Sequence, residues 1–252
     1  MNRRLLRNLS LLAILPILGG CEVREDPHLP SPEEFLPVLL SSTEDYGQAY
    51  LDSLLFFGES TTYHMKDRGV LSGGQNTHQI LAPDSGTVNL DHSTPSLLVR
   101  YTETGEYLSL KEAVERKQPE YMVLCFGLNG AIQKNRRGEE YFHSCYRALI
   151  DVIRQASPDT RIILQSAPPI ARTMDMRRYS CSAEELNRIL DTINGWTREL
   201  CRQDNLRYLN TAEVLKDPDG FLRSDYDVGD GHHLTRSAYE AILAYIRTHG
   251  YQ

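Results

Sequence analysis

Ser60 closes the stretch Leu54-Leu55-Phe56-Phe57-Gly58-Glu59-Ser60, and Asp230 and His233 stand three positions apart in Asp230-Gly231-His232-His233. A neutral serine hydroxyl is a weak nucleophile until an imidazole takes its proton, and a carboxylate must then fix the imidazole's tautomer and stabilise its cation. Together these three residue types are what attack on an acyl carbon requires. On a turn entering a helix, the spacing of Asp230 and His233 puts the carboxylate against the ring nitrogen that faces away from the serine. His232 is the competing base. The negative charge that develops on the acyl oxygen needs donors, each worth roughly 10² to 10³ in rate. Ser60 offers its own backbone N–H, and Asn129 in Gly127-Leu128-Asn129-Gly130 offers a side-chain amide. Taken singly, Ser60 reads equally well as a helix cap and Asn129-Gly130 as a turn.

Positioning such groups falls to the elements around them. Leu54 to Phe57 is an apolar run of strand length, and Gly58 permits a sharp exit from it. Thr61 to Lys66 suggests a short helix, and Thr77 to Ala82 a second strand ended by Pro83-Asp84-Ser85-Gly86. Segments at Thr87 to Leu90, Leu97 to Tyr101 and Tyr107 to Leu110 read as short strands or an insertion. Leu110 to Lys117 is helical, and Tyr121 to Phe126 is a strand. The clearest helical stripe runs through Phe142, Cys145, Tyr146, Leu149, Ile150 and Ile153, and the strand Arg161 to Gln165 follows it. Ser182-Ala183-Glu184-Glu185 has capping-box spacing and opens a second long helix, which carries Trp196 among its core positions. Arg207 to Asn210 is a short strand, and a final helix begins near Thr235. Strands alternating with amphipathic helices predict an α/β fold with a mainly parallel sheet covered on both faces. In such a sheet ligands bind beyond the carboxyl ends of the strands, which is where Ser60, Asn129 and the segment from Asp230 to His233 fall.

Phe57-Gly58-Glu59-Ser60, Gly127-Leu128-Asn129 and Asp230-Gly231-His232-His233-Leu234, in that order across almost the whole domain, resemble the blocks of the SGNH, or GDSL-type, hydrolase superfamily. The resemblance implies a three-layer α/β/α sandwich of flavodoxin-like type and hydrolysis of an ester without metal or cofactor. It implies Ser60, Asp230 and His233 as the catalytic residues and Ser60, Asn129 and a glycine as the oxyanion donors. Gly86 is the glycine chosen here, with Gly73 or Gly74 as substitutes. Two positions depart from the pattern: Glu59 stands where aspartate is usual, and Gly130 follows Asn129 where aspartate is common.

The first 20 residues form a different kind of segment. Arg3, Arg4 and Arg7 precede an apolar stretch from Leu9 to Leu18, too short to span a bilayer as a mature helix, and Leu18-Gly19-Gly20-Cys21 closes it. That ending resembles the lipobox of bacterial lipoproteins. It implies a signal peptide at 1–20 and an acylated Cys21 that anchors the protein to the membrane outside the cytoplasm. Residues 21–45, with four prolines among polar residues, read as a tether, and the hydrolase domain is expected over 46–252. The formal charge of -7 becomes -10 once the three arginines leave, which argues against nucleic acid as a partner and leaves membrane attachment to acyl chains. The cysteines at 125, 145, 181 and 201 lack zinc-site spacing, and none is expected in a disulfide. His64, His78, His92, His143 and His249 read as surface or packing residues.

Within this reading the substrate is a short acyl or acetyl group on a carbohydrate or cell-wall polymer. A non-catalytic glycan-binding lipoprotein on the same fold and a lipase or thioesterase are the rivals. The loop from Pro168 to Tyr179 follows a strand end and carries Arg172, Arg177 and Arg178, which either meet an anionic substrate or are solvated.

Overall fold

Successive residues of a strand point to opposite faces, so an uninterrupted apolar strand must feed two cores. In the computed structural model, which describes residues 38–252, the strand Leu54–Gly58 (β1) does this. Leu55 and Phe57 enter one cluster with Met122, Leu124, Ile162 and Leu164, while Leu54 and Phe56 enter another with Val123, Ile163 and Leu209.

Chain order is α1 (Gly47–Asp52), β1, α2 (Ser60–Asp67), β2 (Ile80–Leu81), β3 (Leu98–Arg100), β4 (Tyr107–Ser109), α3 (Leu110–Lys117), β5 (Tyr121–Cys125), α4 (Ala131–Arg137), α5 (Glu139–Ala156), β6 (Arg161–Gln165), α6 (Ala183–Gln203), β7 (Arg207–Leu209), α7 (Ala212–Leu215) and α8 (Arg236–Arg247). Five strands form one parallel sheet in the order β2-β1-β5-β6-β7, and β3 pairs with β4 as a separate antiparallel ribbon. The first cluster is closed by α3, α5 and α6, and the second by α1, α2, α7 and α8. The expected three-layer α/β/α sandwich is therefore present, with the flavodoxin-like strand order. That order reverses direction between β1 and β5, which opens a crevice beyond their carboxyl ends.

All six residues of the long stripe on α5 are buried, at 1% exposure or less. Ser109 caps α3 in a reciprocal box with Glu112, and the Ser182 hydroxyl accepts the Glu185 N–H to start α6. Three local expectations differ from the structure. The second strand is only Ile80–Leu81, because the Gln79 side chain bonds the carbonyls of Leu51 and Leu54 and so ties off the segment before it. Gly130 is not merely a turn residue; at φ +69° it leads into the additional helix α4. The folded unit also reaches back beyond Tyr46: Leu39 bridges Tyr208, and the Leu40 N–H donates to the Tyr208 carbonyl at 2.9 Å. Residues 38–45, assigned to the tether, thus start on the domain. The signal segment, Cys21 and the remainder of the tether lie outside the described residues.

Leu124 has no exposed surface and is the fourth of the five residues of β5, at the centre strand of the sheet. Leu124→Ala should lower unfolding free energy by roughly 2 to 5 kcal/mol. The expected signature in urea unfolding is a lower midpoint with an unchanged slope.

Candidate active site

β1 ends at a glycine because nothing larger fits. A Cβ at Gly58 would lie 2.4 Å from the Thr62 hydroxyl oxygen and 2.5 Å from the Cys125 carbonyl. The chain can then turn sharply, and Glu59 in extended conformation leads directly into α2 with Ser60 as its first residue. A helix's first N–H groups have no intrahelical acceptor, so the Ser60 N–H, on the first residue of α2, is left unspent by its helix.

The second half of the site comes from the turn before α8. Asp227 Oδ1 accepts the N–H groups of Gly229 and Gly231, both at 2.9 Å. The Gly231 carbonyl receives the Ala171 N–H at 2.8 Å. Gly231, at φ +88°, packs so closely on Met174 that a Cβ would come within 2.4 Å of its Cα. Tyr239 on α8 donates its hydroxyl to the Thr61 carbonyl at 2.7 Å, which locks α8 against α2.

These constraints bring together residues 173 positions apart. Ser60 Oγ lies 3.2 Å from His233 Nε2, and His233 Nδ1 lies 2.7 Å from Asp230 Oδ2. The other carboxylate oxygen of Asp230 accepts the backbone N–H groups of His233 at 2.9 Å and His232 at 3.1 Å. Burial works against the Asp230 charge, but the His233 N–H, the His233 ring and the His232 N–H hold its carboxyl well below the usual carboxylate range. His232 is turned aside, with its Nδ1 3.3 Å from the Asp230 carbonyl oxygen and no contact to Ser60. Such a geometry can pass a proton from hydroxyl to imidazole while an ionised carboxylate steadies the ring.

The remaining donors are placed differently. Gly86 is corrected as an oxyanion donor: its N–H closes the turn onto the Pro83 carbonyl at 2.9 Å. The Asn129 amide lies at the end of β5 as expected, but it donates to Thr87 Oγ1 at 3.0 Å and to the Val88 carbonyl at 3.1 Å.

Three further residues shape the site without having been singled out for it. Glu59, fully buried, accepts the N–H groups of Gly127, Leu128 and Asn129 at 3.0, 3.1 and 3.0 Å. Burial raises its pKa; the Gly127 N–H, the Lys134 charge and the other two N–H groups oppose that rise. Lys134 is buried too, which lowers its pKa, and it donates to Asn89 Oδ1 at 2.6 Å and to the Asn129 carbonyl. The only signal in the sequence was a carboxylate directly before Ser60, and the partners that give it a role lie 68 to 70 residues away. His64, one turn into α2, sets its ring centroid 4.6 Å from that of His233, with its own Nδ1 buried and unpartnered among the described residues. Burial, then the neighbouring His233, lowers the His64 pKa.

Comparison with known proteins bears on the family and the fold. The model of the GDSL-like lipase/acylhydrolase family matches residues 56–241. No curated protein matches the chain by sequence. Among solved structures, a Streptococcus pneumonia protein whose description refers to platelet activating factor superposes with TM-score 0.52 at 18% identity, covering 79% of this chain and 87% of its own. A DUF4886 family protein from Bacteroides uniformis gives 0.51 at 12% identity, over 79% and 83% of the two chains. The M. smegmatis aryl esterase gives 0.50 at 16% identity, over 76% and 95%. At these identities the superpositions speak for the fold alone.

Two outcomes follow from the geometry. Glu59→Asp shortens the carboxylate's reach by one methylene, so it cannot hold all three N–H groups; ester turnover should drop at least tenfold, about 1.4 kcal/mol in barrier, while circular dichroism stays that of the folded parent. The stabilisation tied to the lowered Asp230 pKa is fully present above about pH 4, the unfolded carboxylate value, and fades as pH falls below it. Between about pH 4 and pH 2, Asp230→Asn should therefore lose less unfolding free energy than the parent in denaturant titrations.

The match over more than half of the chain, together with the sheet topology, makes this protein a member of the GDSL-like lipase/acylhydrolase family, an ester hydrolase by class.

Proposed function

We propose that the protein is a serine esterase that removes a short acyl group, such as acetyl, from a carbohydrate or cell-wall polymer. The observation that carries this reading is the continuous contact from Ser60 Oγ through the His233 ring to Asp230, at 3.2 and 2.7 Å. Ser60 attacks the acyl carbon as His233 takes its proton, and His233 then protonates the departing alcohol. Asp230 keeps Nδ1 of His233 protonated and stabilises the imidazolium. Water activated by the same ring releases the acyl group. The Ser60 N–H, free of its helix, receives the oxyanion. Asn129 joins it by exchanging its contact with Thr87 for the substrate oxygen, while its bond to Val88 keeps the amide aimed.

A polar hollow beside the site supports a sugar rather than a long acyl chain. It measures about 310 Å³, is bordered by Asn129 and His232, and is lined as much by polar as by apolar side chains. The leader over residues 1–20, with Cys21 directly after it, supports a lipid-anchored location outside the cytoplasm, where acylated glycans are encountered.

Nitrophenyl acetate hydrolysis tests the assignment. Ser60→Ala should lose on the order of 10⁴ or more of kcat, and Asn129→Ala roughly 10² to 10³. Equal turnover by Ser60→Ala and the parent would remove the nucleophile. Preference for long acyl chains over acetate would favour a lipase instead.

A further inference from the structure

The hollow beside the site carries positive charge that nothing in the described structure neutralises. In the loop after β6, Arg172 is paired with Asp219 at 2.5 Å and Arg177 with Asp175 at 2.6 Å. Arg178 has no carboxylate partner among the described residues. Arg136 at the end of α4 has none either; its guanidinium donates only to Ser180 Oγ, at 3.2 Å. Both line the hollow that Asn129 and His232 border, and no carboxylate does. The adjoining hollow contains Asp175 and Asp230, but the first is held by Arg177 and the second by His233. Tyr179, 42% exposed, adds an aromatic face to the same wall.

In a chain of net charge -7, where the loop's other two arginines, Arg172 and Arg177, are tied to carboxylates, two unpaired guanidinium groups facing a polar recess make a local field that selects for an anion. A guanidinium fork matches the oxygens of carboxylate or phosphate with paired hydrogen bonds. We propose that this recess is a subsite for an anionic sugar: the residue that carries the ester also carries a carboxylate or phosphate, held by Arg136 and Arg178 while its ring lies against Tyr179. Such charge at the recess also draws the substrate toward Ser60 from solution and weakens with added salt. Of the three arginines in the loop, only Arg178 is free for this role, and Arg136 joins it from a different element.

This inference rests on the esterase reading, and its test separates the two. The probes are O-acetylated oligogalacturonate, the same oligomer with its carboxylates methyl-esterified, O-acetylated galactose 6-phosphate and O-acetylated galactose. Binding is measured by calorimetry on the Ser60→Ala protein, where no turnover intervenes, and kcat/KM is measured on the parent. An anionic probe should bind about tenfold or more tightly than its neutral counterpart. That ratio should fall toward one in Arg136→Gln/Arg178→Gln and in high salt. The anionic probe with the larger gain identifies carboxylate or phosphate as the group held. A ratio of one in the parent background, or a ratio that the double substitution leaves intact, overturns the subsite. Failure of the esterase reading is seen separately, as binding without any Ser60-dependent turnover.

Discussion

One buried carboxylate fixes the relation between the two halves of the crevice. Glu59 occupies the position between the end of β1 and the nucleophile, yet the hydrogen bonds of its carboxylate all go to the loop after β5. Three consecutive backbone N–H groups converge on it, so the loop cannot shift relative to Ser60 without stranding polar groups in a place water does not reach. Lys134 reinforces the arrangement from below, since it holds the carbonyl of Asn129 while Glu59 holds its N–H. The ionic cost of burying both residues is offset by the hydrogen bonds each makes, and the result is a rigid shelf on which a reacting carbonyl can be held.

What could be read from the chain alone was whatever repeats locally. The continuous apolar runs of β1, β5 and β6 and the stripe on α5 are short-range patterns; successive residues of the strands feed the two cores, and the stripe fills one of them. The Asp230-to-His233 spacing belongs to the same class, because both partners sit on one turn. Contacts between distant segments left no comparable trace. Glu59 differs from the usual aspartate by one methylene, and only its three partners across the crevice show what the added length reaches. Gly86 has a glycine's backbone freedom, at φ +65°, but spends it on closing its own turn, which no reading of residue type reveals. The amide of Asn129 is likewise committed to Thr87 and Val88, in a segment that had no clear place in the expected fold.

The imidazole at 233 is flanked on both sides by others, with His64 at 4.6 Å and His232 at 4.0 Å between ring centroids. A base that becomes a cation during turnover would be opposed by charged neighbours. His64 is suited to this position because burial, then the proximity of His233, favours its neutral form, so it supplies a flat, polarisable wall without adding repulsion. Asp230, the one carboxylate paired with this ring among the described residues, meets Nδ1, on the side away from the serine.

The ends of the sheet bear on how the molecule behaves in company. On one side β2 is two residues long, and on the other Val38 to Leu40 lie along β7, with Tyr208 donating to the Val38 carbonyl at 2.8 Å. A long bare strand edge invites pairing with another chain, and here neither margin offers one. The five-stranded sheet is thereby protected against intermolecular strand addition, so copies that meet at high local concentration have no bare margin of it to share.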